Sequence, residues 1–299
     1  MPRCPSGVVL VRALGAGSVF EVARVRVEER RCILKRLRPT LLANDRARCA
    51  MRREREALAR GGGLVTPLLV AFGEDEDGPY VLEEEISWPS LRQLALASAP
   101  IDAGAVAPLV SDAPIEPATL DLLVAAAFGA LATFHARATP AGERYGLVHG
   151  DLAPDHIAVE PPREPGDARS RVCFLDLGMA RWGDLDVSEL GVDFGAGERG
   201  TLPFVAPELA RGEVAPDQAC DVFALAASLA FVALGREPCR ETTNAARLVE
   251  LAERGVDRAG LEACDRLTRR ARAALLGALT FARVERTTTA LGVLACLGA

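Results

Sequence analysis

The sequence is almost without lysine. Lys35 is the only lysine among the 35 lysine and arginine residues of the 299-residue chain, so nearly every cation is a guanidinium. With 41 acidic residues the formal net charge is −6, and the chain lacks the broad basic surface that a general nucleic-acid-binding protein needs. Lysine is a compact point charge, whereas arginine is a planar fork of donors. The single lysine therefore reflects either chance or a site that needs a narrow cation, such as one touching nucleotide phosphates.

Paired cysteines and long apolar runs are also missing. The eight cysteines are scattered without a Cys-x-x-Cys pair, which disfavours a disulfide framework and a zinc site. Cys32 and Cys173 lie in apolar strand-like runs, as reduced, buried thiols of cytoplasmic proteins do. The most apolar run, 222–235, is shorter than a membrane span and is better explained as a buried helix. No secretory signal is visible, so we expect a cytoplasmic protein without a membrane span.

What the chain does contain is a β-rich part followed by an α-rich part. The pattern predicts an α+β fold of two lobes within a single domain of 1–299. The small lobe is predicted over about 8–86 and the larger lobe over about 90–297, with a linker at about 84–89. Segments 97–118 and 161–169 are predicted as loops from their alanine, proline and acidic content.

Individual elements are predicted from the period of the apolar residues. The predicted strands are 8–15, 19–27, 31–37, 66–73, 79–85, 156–159 and 172–175. The predicted helices are 42–60, 120–137, 217–234 and 266–281.

The first candidate site lies at the turn between the first two strands. Gly15 and Gly17 allow backbone N–H groups to approach phosphate oxygens closely, although most hairpins of this kind bind nothing. Because a strand follows and not a helix, a Rossmann turn is disfavoured. Lys35 lies on the next strand, where alternation places it on the same face as Ile33.

A candidate partner for this lysine lies on the arginine-rich helix. Glu54 shares a stripe with Met51 and Leu58 and therefore points inward. Glu56 lies about 200° further round the helix and should face water. An inward acid near a lone inward lysine predicts an ion pair between Lys35 and Glu54.

Two aspartates further along each accompany a short strand. Asp151 follows Val148-His149-Gly150, and Asp176 follows the run that contains Cys173. An isolated aspartate at such a place is usually a turn or cap residue. Two that converge on one point would suit a proton acceptor and a metal-binding carboxylate, and Gly178 permits the sharp bend that such a site needs.

In this order the motifs resemble the protein kinase family, specifically bacterial Ser/Thr kinases of the eukaryotic type, over about 8–297. Gly15 and Gly17 match the first two glycines of the nucleotide loop. Lys35 matches the strand lysine, and Glu54 matches its helix partner. Asp151 matches the catalytic-loop aspartate, and Asp176 matches the metal-binding aspartate. Thr201 and Ala206-Pro207-Glu208 match the end of the activation segment. Asp221 matches the anchor of the long buried helix, and Arg286 matches the arginine that pairs with the final glutamate of the segment.

The resemblance implies transfer of the γ-phosphoryl group of ATP to a protein hydroxyl with Mg²⁺ or Mn²⁺. It also implies a protein substrate or a regulatory protein partner. The implied catalytic residues are Asp151 as proton acceptor, Lys35 on the α- and β-phosphates, Glu54 and Thr201. The implied nucleotide contacts are Gly15, Gly17, Val22, Lys35, Glu84 and Ile86, and the implied metal ligands are Asp176 and His156.

Four positions depart from the family pattern. Phe20 replaces the third loop glycine, where it either hinders phosphate approach or folds over the cleft. Ala153 stands where a lysine neutralises the transferring phosphate, a loss of roughly 3–4 kcal/mol by analogy with oxyanion-hole donors. His156 replaces an asparagine metal ligand, and imidazole either fills the space or binds Mn²⁺ or Zn²⁺ better than Mg²⁺. Gly150 replaces an arginine, so we expect activity to be independent of loop phosphorylation.

One position has two readings. Glu83 falls at the gatekeeper of the family, facing the adenine pocket, where an unpaired carboxylate is costly. A shift of one residue would turn Leu82 inward instead.

Three functions follow from these patterns. The leading one is a Ser/Thr protein kinase homologue with weak or metal-atypical activity. The second is a pseudokinase, a binding module that holds nucleotide without turnover. The third is a small-molecule phosphotransferase, because His149-Gly150-Asp151 without a following lysine also resembles aminoglycoside-type kinases.

Overall fold

The computed structural model describes residues 4–97, 117–161, 171–183 and 200–298. Most of the predicted loop 97–118 and nearly all of the loop 161–169 lie outside these residues. In the smaller lobe the elements are β1 Val8–Ala16, β2 Phe20–Val27, β3 Arg30–Leu37, α1 Asp45–Gly61, β4 Leu69–Asp75 and β5 Gly78–Glu84. In the larger lobe they are α2 Leu91–Ala97, α3 Pro117–His135, β6 Ile157–Val159, β7 Val172–Phe174, α4 Pro207–Ala210, α5 Gln218–Leu234, α6 Asn244–Glu253, α7 Arg258–Glu262, α8 Arg269–Ala278 and α9 Ala290–Leu297.

The smaller lobe is an antiparallel sheet with one helix against it. The strand order is β1-β2-β3-β5-β4, and α1 contacts β3, β4 and β5. Asn44 caps α1 by accepting the Ala47 N–H at 3.0 Å, which explains why the helix begins at Asp45 and not at the predicted residue 42. Strand β4 begins at Leu69 and not at residue 66, since Pro67 has no N–H to give to a ladder.

The larger lobe is built around α3 and α5. Helix α5 is buried along almost its whole length, as the apolar run predicted. Asp217 caps its start and Gly235, at φ 66°, ends it. Among the described helices α3 is long and apolar enough to cross a membrane by length and composition alone. In the fold it packs against α5 and α9 and buries Leu123, Phe128 and Phe134 in the core.

The α+β class with two lobes is therefore confirmed. The predicted strand 156–159 is one residue too long, because His156 belongs to a 3₁₀ turn that starts at Pro154. The predicted helix 266–281 is shorter, at Arg269–Ala278, and begins after the cap residue Thr268. All eight cysteines are free thiols, and Cys32 and Cys173 are buried as expected.

Candidate active site

Lys35 and Glu54 form a buried ion pair on the inner face of the sheet. Lys35 pairs with Val22 of β2 and Val81 of β5, so it stands in the middle of the sheet beneath α1. Glu54 has no exposed surface, and its Oε1 accepts a hydrogen bond from the Lys35 ammonium. The ion pair that the helix stripe predicted is present.

Glu83 faces the same lysine, which settles the question of register. It pairs with Ile33 across β3 and β5, and its Oε1 lies 3.1 Å from Lys35 Nζ. Leu82 points to the opposite face of the sheet, where it packs with Val25 and Leu34. The inward carboxylate is tolerated because the lysine is its partner.

Three carboxylates act on this one ammonium. Burial alone would lower the pKa of Lys35, but the two glutamates and Asp176 raise it above its ordinary value. Burial raises the pKa of Glu54, and the charges of Asp176 and Glu83 add to that shift. Burial also raises the pKa of Glu83. With three carboxyl groups around one ammonium, the cluster favours an added proton or other cation over an added anion.

Asp221 of α5 holds the loop that carries Asp151. Its carboxylate accepts the backbone N–H groups of His149 at 2.7 Å and Gly150 at 2.9 Å. The His135 ring lies 3.0 Å from the same carboxylate. The His149 ring is buried and lies 3.0 Å from the Leu175 carbonyl, so it ties this loop to the segment before Asp176. Packing thus brings two segments distant in sequence together, as the sequence predicted.

The backbone conformation at position 150 requires a glycine. Its φ is 81°, in the left-handed region, and a β-carbon there would lie 2.7 Å from the Met179 carbonyl oxygen. An arginine at this position would be both strained and in collision with the turn after Asp176. The departure from the family pattern is therefore built into the backbone of the loop.

Asp151 faces Gly200 and Thr201, at the start of the described range 200–298. Its Oδ1 accepts the Thr201 backbone N–H at 2.6 Å, and Gly200, at φ 79°, allows the two segments to approach. The carboxylate has no arginine or lysine partner among the contacts within the described ranges, so the resemblance-implied role of proton acceptor stays a prediction. Ala153, two residues on, is buried and offers no cation.

His156 lies between the two aspartates. Its Nδ1 is 2.9 Å from the Asp151 backbone carbonyl, and a carbonyl only accepts, so Nδ1 carries the proton. In the neutral ring Nε2 then has a lone pair, and this atom lies 3.7 Å from Asp176 Oδ2. The 3₁₀ turn Pro154–His156 fixes this orientation, which a strand at His156 would not provide.

Asp176 is held in an unusual backbone conformation beside these groups. Its φ is 58°, rare for a residue with a side chain, and 48% of its side chain is exposed. Burial opposes ionisation, but the charge of Lys35 and the backbone N–H of Gly178 hold the pKa of Asp176 below its ordinary value. A half-exposed, ionised carboxylate next to an imidazole lone pair is a pair of donors for a divalent cation.

Phe20 folds into the cleft. The residue is buried, and its ring lies 3.7 Å from the position that a β-carbon on Gly178 would take. The Glu54 carboxylate and the Asp176 carboxylate both lie 3.5 Å from that same position. The sequence allowed two positions for the Phe20 side chain. In the structure the ring lies in the cleft near Gly178 and not at the tip of the hairpin.

The remaining residues predicted to contact nucleotide differ in their exposure and in the face of the sheet on which they lie. Gly15 has φ 138° and open space where a side chain would stand, and Gly17 donates its N–H to the Phe20 carbonyl at 2.8 Å. Glu84 is exposed on the opposite face of β5 from Glu83, and Ile86 is half-buried in the linker. The roles assigned to these residues stay predictions.

A second buried ion pair supports the larger lobe. Arg286 donates to both oxygens of Glu208, at 2.7 and 2.9 Å, and both residues are buried. Arg283 adds a contact of 3.3 Å to Glu208 and one of 2.5 Å to Asp217. The sequence pointed to Arg286 through the resemblance. No pattern indicated Arg283, because in the sequence an arginine that begins a short 3₁₀ turn resembles any surface cation.

Comparison with known proteins agrees with this geometry. The model of the Phosphotransferase enzyme family (APH) matches residues 90–187. A protein of Thermomonospora curvata described as "Probable serine/threonine-protein kinase PkwA" is 32% identical over 233 residues, which is 77% of this chain and 26% of that protein. The serine/threonine-protein kinase pkn3 of Myxococcus xanthus is 28% identical over 225 residues, 75% of this chain and 36% of that protein. The chain thus spans about a quarter to a third of the length of these relatives.

Solved structures show the same fold. The kinase domain of PknI from Mycobacterium tuberculosis superposes with a TM-score of 0.60 at 21% identity, covering 98% of this chain and 96% of that domain. The solved structure shows the kinase fold. The family model and the relatives support a bacterial protein kinase-like phosphotransferase family for this chain.

Proposed function

We propose that this chain binds ATP with a divalent cation in the cleft and slowly transfers the γ-phosphoryl group to a protein hydroxyl, with Mn²⁺ preferred over Mg²⁺. One observation carries the proposal: His156 joins the loop of Asp151 to the turn of Asp176, close to the Lys35–Glu54 pair. Phosphoryl transfer depends mainly on positioning and charge neutralisation, and these residues are placed for both. A cytoplasmic location and a protein substrate or regulatory partner are part of the proposal.

The donor set fits a metal bound partly by the protein. Asp176 and His156 Nε2 offer one carboxylate and one imidazole nitrogen, 3.7 Å apart. Among the described residues no group of three or more His, Cys, Asp and Glu side chains could hold a metal alone. Phosphate oxygens and water would supply the remaining ligands, as is usual for Mg²⁺ and Mn²⁺. When bound, the metal neutralises phosphate charge, and the imidazole donor favours Mn²⁺ over the harder Mg²⁺.

The chain's own residues account for the remaining requirements. Lys35 is held in place by Glu54 and offers an ammonium to phosphate oxygens. Asp151 is positioned by the Thr201 N–H to orient a hydroxyl and take its proton. Ala153 contributes no charge to the transferred group, which lowers the rate. Gly150 leaves no arginine to read a phosphate on the activation segment, so phosphorylation there is not expected to switch activity.

The test is one titration read in two ways. ATP is added with Mg²⁺ and then with Mn²⁺, and binding heat and transfer of a γ-³²P label to a generic protein substrate are both measured. We expect binding with either metal and faster transfer with Mn²⁺. Stoichiometric binding with no transfer under either metal would identify a pseudokinase, and absence of both would refute the proposal.

The His156→Asn variant tests the metal ligand in the same assay. Loss of a group that merely orients a ligand costs roughly 10–100-fold in metal affinity, so we expect the ratio of Mn²⁺- to Mg²⁺-supported transfer to fall at least tenfold. Asp155→Asn is the matched control, since Asp155 lies in the same turn but pairs with Arg92 at the surface. An unchanged metal ratio in His156→Asn would show that the imidazole only fills space.

A small-molecule phosphotransferase is the second candidate. The APH model matches residues 90–187, which include the His149-Gly150-Asp151 loop, and the backbone of Gly150 accepts no side chain there. The buried Glu208–Arg286 pair favours the protein substrate, because it supports the segment that shapes a peptide platform in the family that the chain resembles. Transfer to an aminoglycoside and not to protein in the titration would favour the second candidate.

A further inference from the structure

Glu83 places a second buried carboxylate on Lys35. Its Oε1 lies 3.1 Å from Lys35 Nζ, and its Oε2 is buried without a hydrogen-bond partner among the described residues. Glu54 is in the same state: its Oε1 accepts from Lys35, and its Oε2 has no partner among the described residues. Glu208, in contrast, has both oxygens bonded to Arg286. Because buried carboxylates are normally satisfied at both oxygens, one lysine shared by two glutamates leaves both of them incompletely bonded.

The lysine between the glutamates has limited donor capacity. An ammonium has three N–H donors, and Glu54 and Glu83 occupy two of them. Glu54 comes from α1 and Glu83 from β5, so the two carboxylates hold Lys35 from two elements. A nucleotide phosphate that reaches Lys35 therefore meets an ammonium that already has two carboxylate partners.

The charge around Lys35 strengthens this effect. Asp176 adds a third carboxylate whose charge acts on Lys35 and on both glutamates. A phosphate brings further negative charge, and like charges in a partly buried site oppose one another. Of the three carboxylates, Glu54 positions the lysine and Asp176 is the proposed metal ligand. Glu83 can therefore be replaced without removing the partner that positions Lys35 or the proposed metal ligand.

We propose that Glu83 competes with nucleotide phosphate for Lys35 and thereby sets the nucleotide affinity of this chain. The proposal rests on the proposed function, because it assumes that nucleotide binds at Lys35. It predicts that nucleotide binding is weakened by an added carboxylate and not by a lost cation. Removing the charge of Glu83 should therefore strengthen nucleotide binding while Lys35 and Glu54 stay paired.

The experiment compares three variants of the 299-residue chain by calorimetric titration with ATP and Mg²⁺. Glu83→Gln keeps the shape and removes the charge, and Glu83→Leu is a second variant that removes hydrogen bonding as well. An opposing charge within a few ångströms changes an equilibrium by roughly 10- to 1000-fold, and solvent at the cleft weakens that, so we expect Kd to fall about tenfold or more in both. Glu56→Gln is the control: it removes one charge from α1 at a side chain that pairs with Arg60 and not with Lys35.

A second reading uses the fact that the chain has one lysine. Selective ¹⁵N-lysine labelling gives a single side-chain signal, from Lys35, without any assignment step. We expect this signal to move in Glu83→Gln before nucleotide is added, and to move further on ATP addition in wild type and variant. Glu56→Gln should leave it in place.

The outcomes separate the two claims. If wild type binds ATP and both Glu83 variants bind with the same Kd, the competition is refuted while nucleotide binding stands. If neither wild type nor variants bind and ATP leaves the lysine signal unchanged, the proposed function fails, and the competition fails with it. Tighter binding in both variants, with Glu56→Gln at the wild-type value, supports both.

Discussion

Replacing Asp151 with asparagine is expected to lower γ-phosphoryl transfer by roughly 10²–10⁴-fold, the contribution of a positioned general base. Asparagine keeps an oxygen that can accept the Thr201 N–H, which Asp151 accepts at 2.6 Å. It cannot take a proton from an attacking hydroxyl. ATP binding and the thermal midpoint should therefore stay close to wild type while transfer is lost. Rates are measured with Mn²⁺ and γ-³²P-labelled ATP.

The control for this variant is Asp155→Asn. Asp155 lies four residues on and is about half exposed, and it makes a surface pair with Arg92. We expect it to transfer phosphate at the wild-type rate. Equal, measurable transfer by wild type and Asp151→Asn would show that the carboxylate has no chemical role, and binding of ATP without transfer by either protein under any metal would show that the chain is a binding module.

Removal of the Glu208 carboxylate is expected to destabilise the larger lobe severely. Glu208→Ala leaves Arg286, whose side chain has 0% exposure, buried without a counter-charge. Breaking one side of a buried ion pair costs about 3–5 kcal/mol. The free energy of unfolding, from urea titration at neutral pH, should fall by that amount. Glu213→Ala is the control, since Glu213 pairs with Arg211 at the surface, and it should leave the unfolding midpoint nearly unchanged.

The pH dependence of the same variant carries a second check. Burial opposes ionisation, but the bonds and charge of Arg286 hold the pKa of Glu208 below its ordinary value. A lowered folded-state pKa stabilises the protein above the unfolded-state pKa of about 4.3. The difference in stability between wild type and Glu208→Ala should therefore be full at neutral pH and shrink as the pH falls below about 4. A constant difference across this range, or a cost near zero, would contradict the account of this pair.

The positions of the helices and strands were predictable because the period of the apolar residues and the cap residues act locally. The arginine-rich helix places Met51, Glu54 and Leu58 on one stripe, and this alone indicates which acid points at Lys35. The elements shifted where a neighbour decides the boundary, as at Asn44, which caps α1, and at Pro67, which delays β4.

The chemistry of the site was less predictable, since it depends on contacts between distant segments. Glu83 and Leu82 are equally plausible inward residues in the sequence, and only the pairing of β5 with β3 decides between them. The constraint on Gly150 arises from the Met179 carbonyl, and the tautomer of His156 arises from the Asp151 carbonyl. Backbone groups of this kind leave no trace in side-chain patterns.

Two of the three departures in the catalytic loop, at Gly150 and His156, are held in place by different interactions. Gly150 is fixed by backbone geometry, so restoring an arginine there requires the turn at Met179 to move. The His156 ring makes one hydrogen bond, at 2.9 Å to the Asp151 carbonyl, and its Nε2 lies 3.7 Å from Asp176 Oδ2. We expect the first departure to alter regulation and the second to alter the choice of metal.

Pulsed electron paramagnetic resonance on the protein with Mn²⁺ and a non-hydrolysable ATP analogue tests most directly whether one ion and one nucleotide meet at these residues. We expect ¹⁴N coupling from a directly bound imidazole in the wild-type spectrum, lost in His156→Asn and retained in Asp155→Asn. A wild-type spectrum identical to that of Mn²⁺ and the analogue without protein would contradict the site.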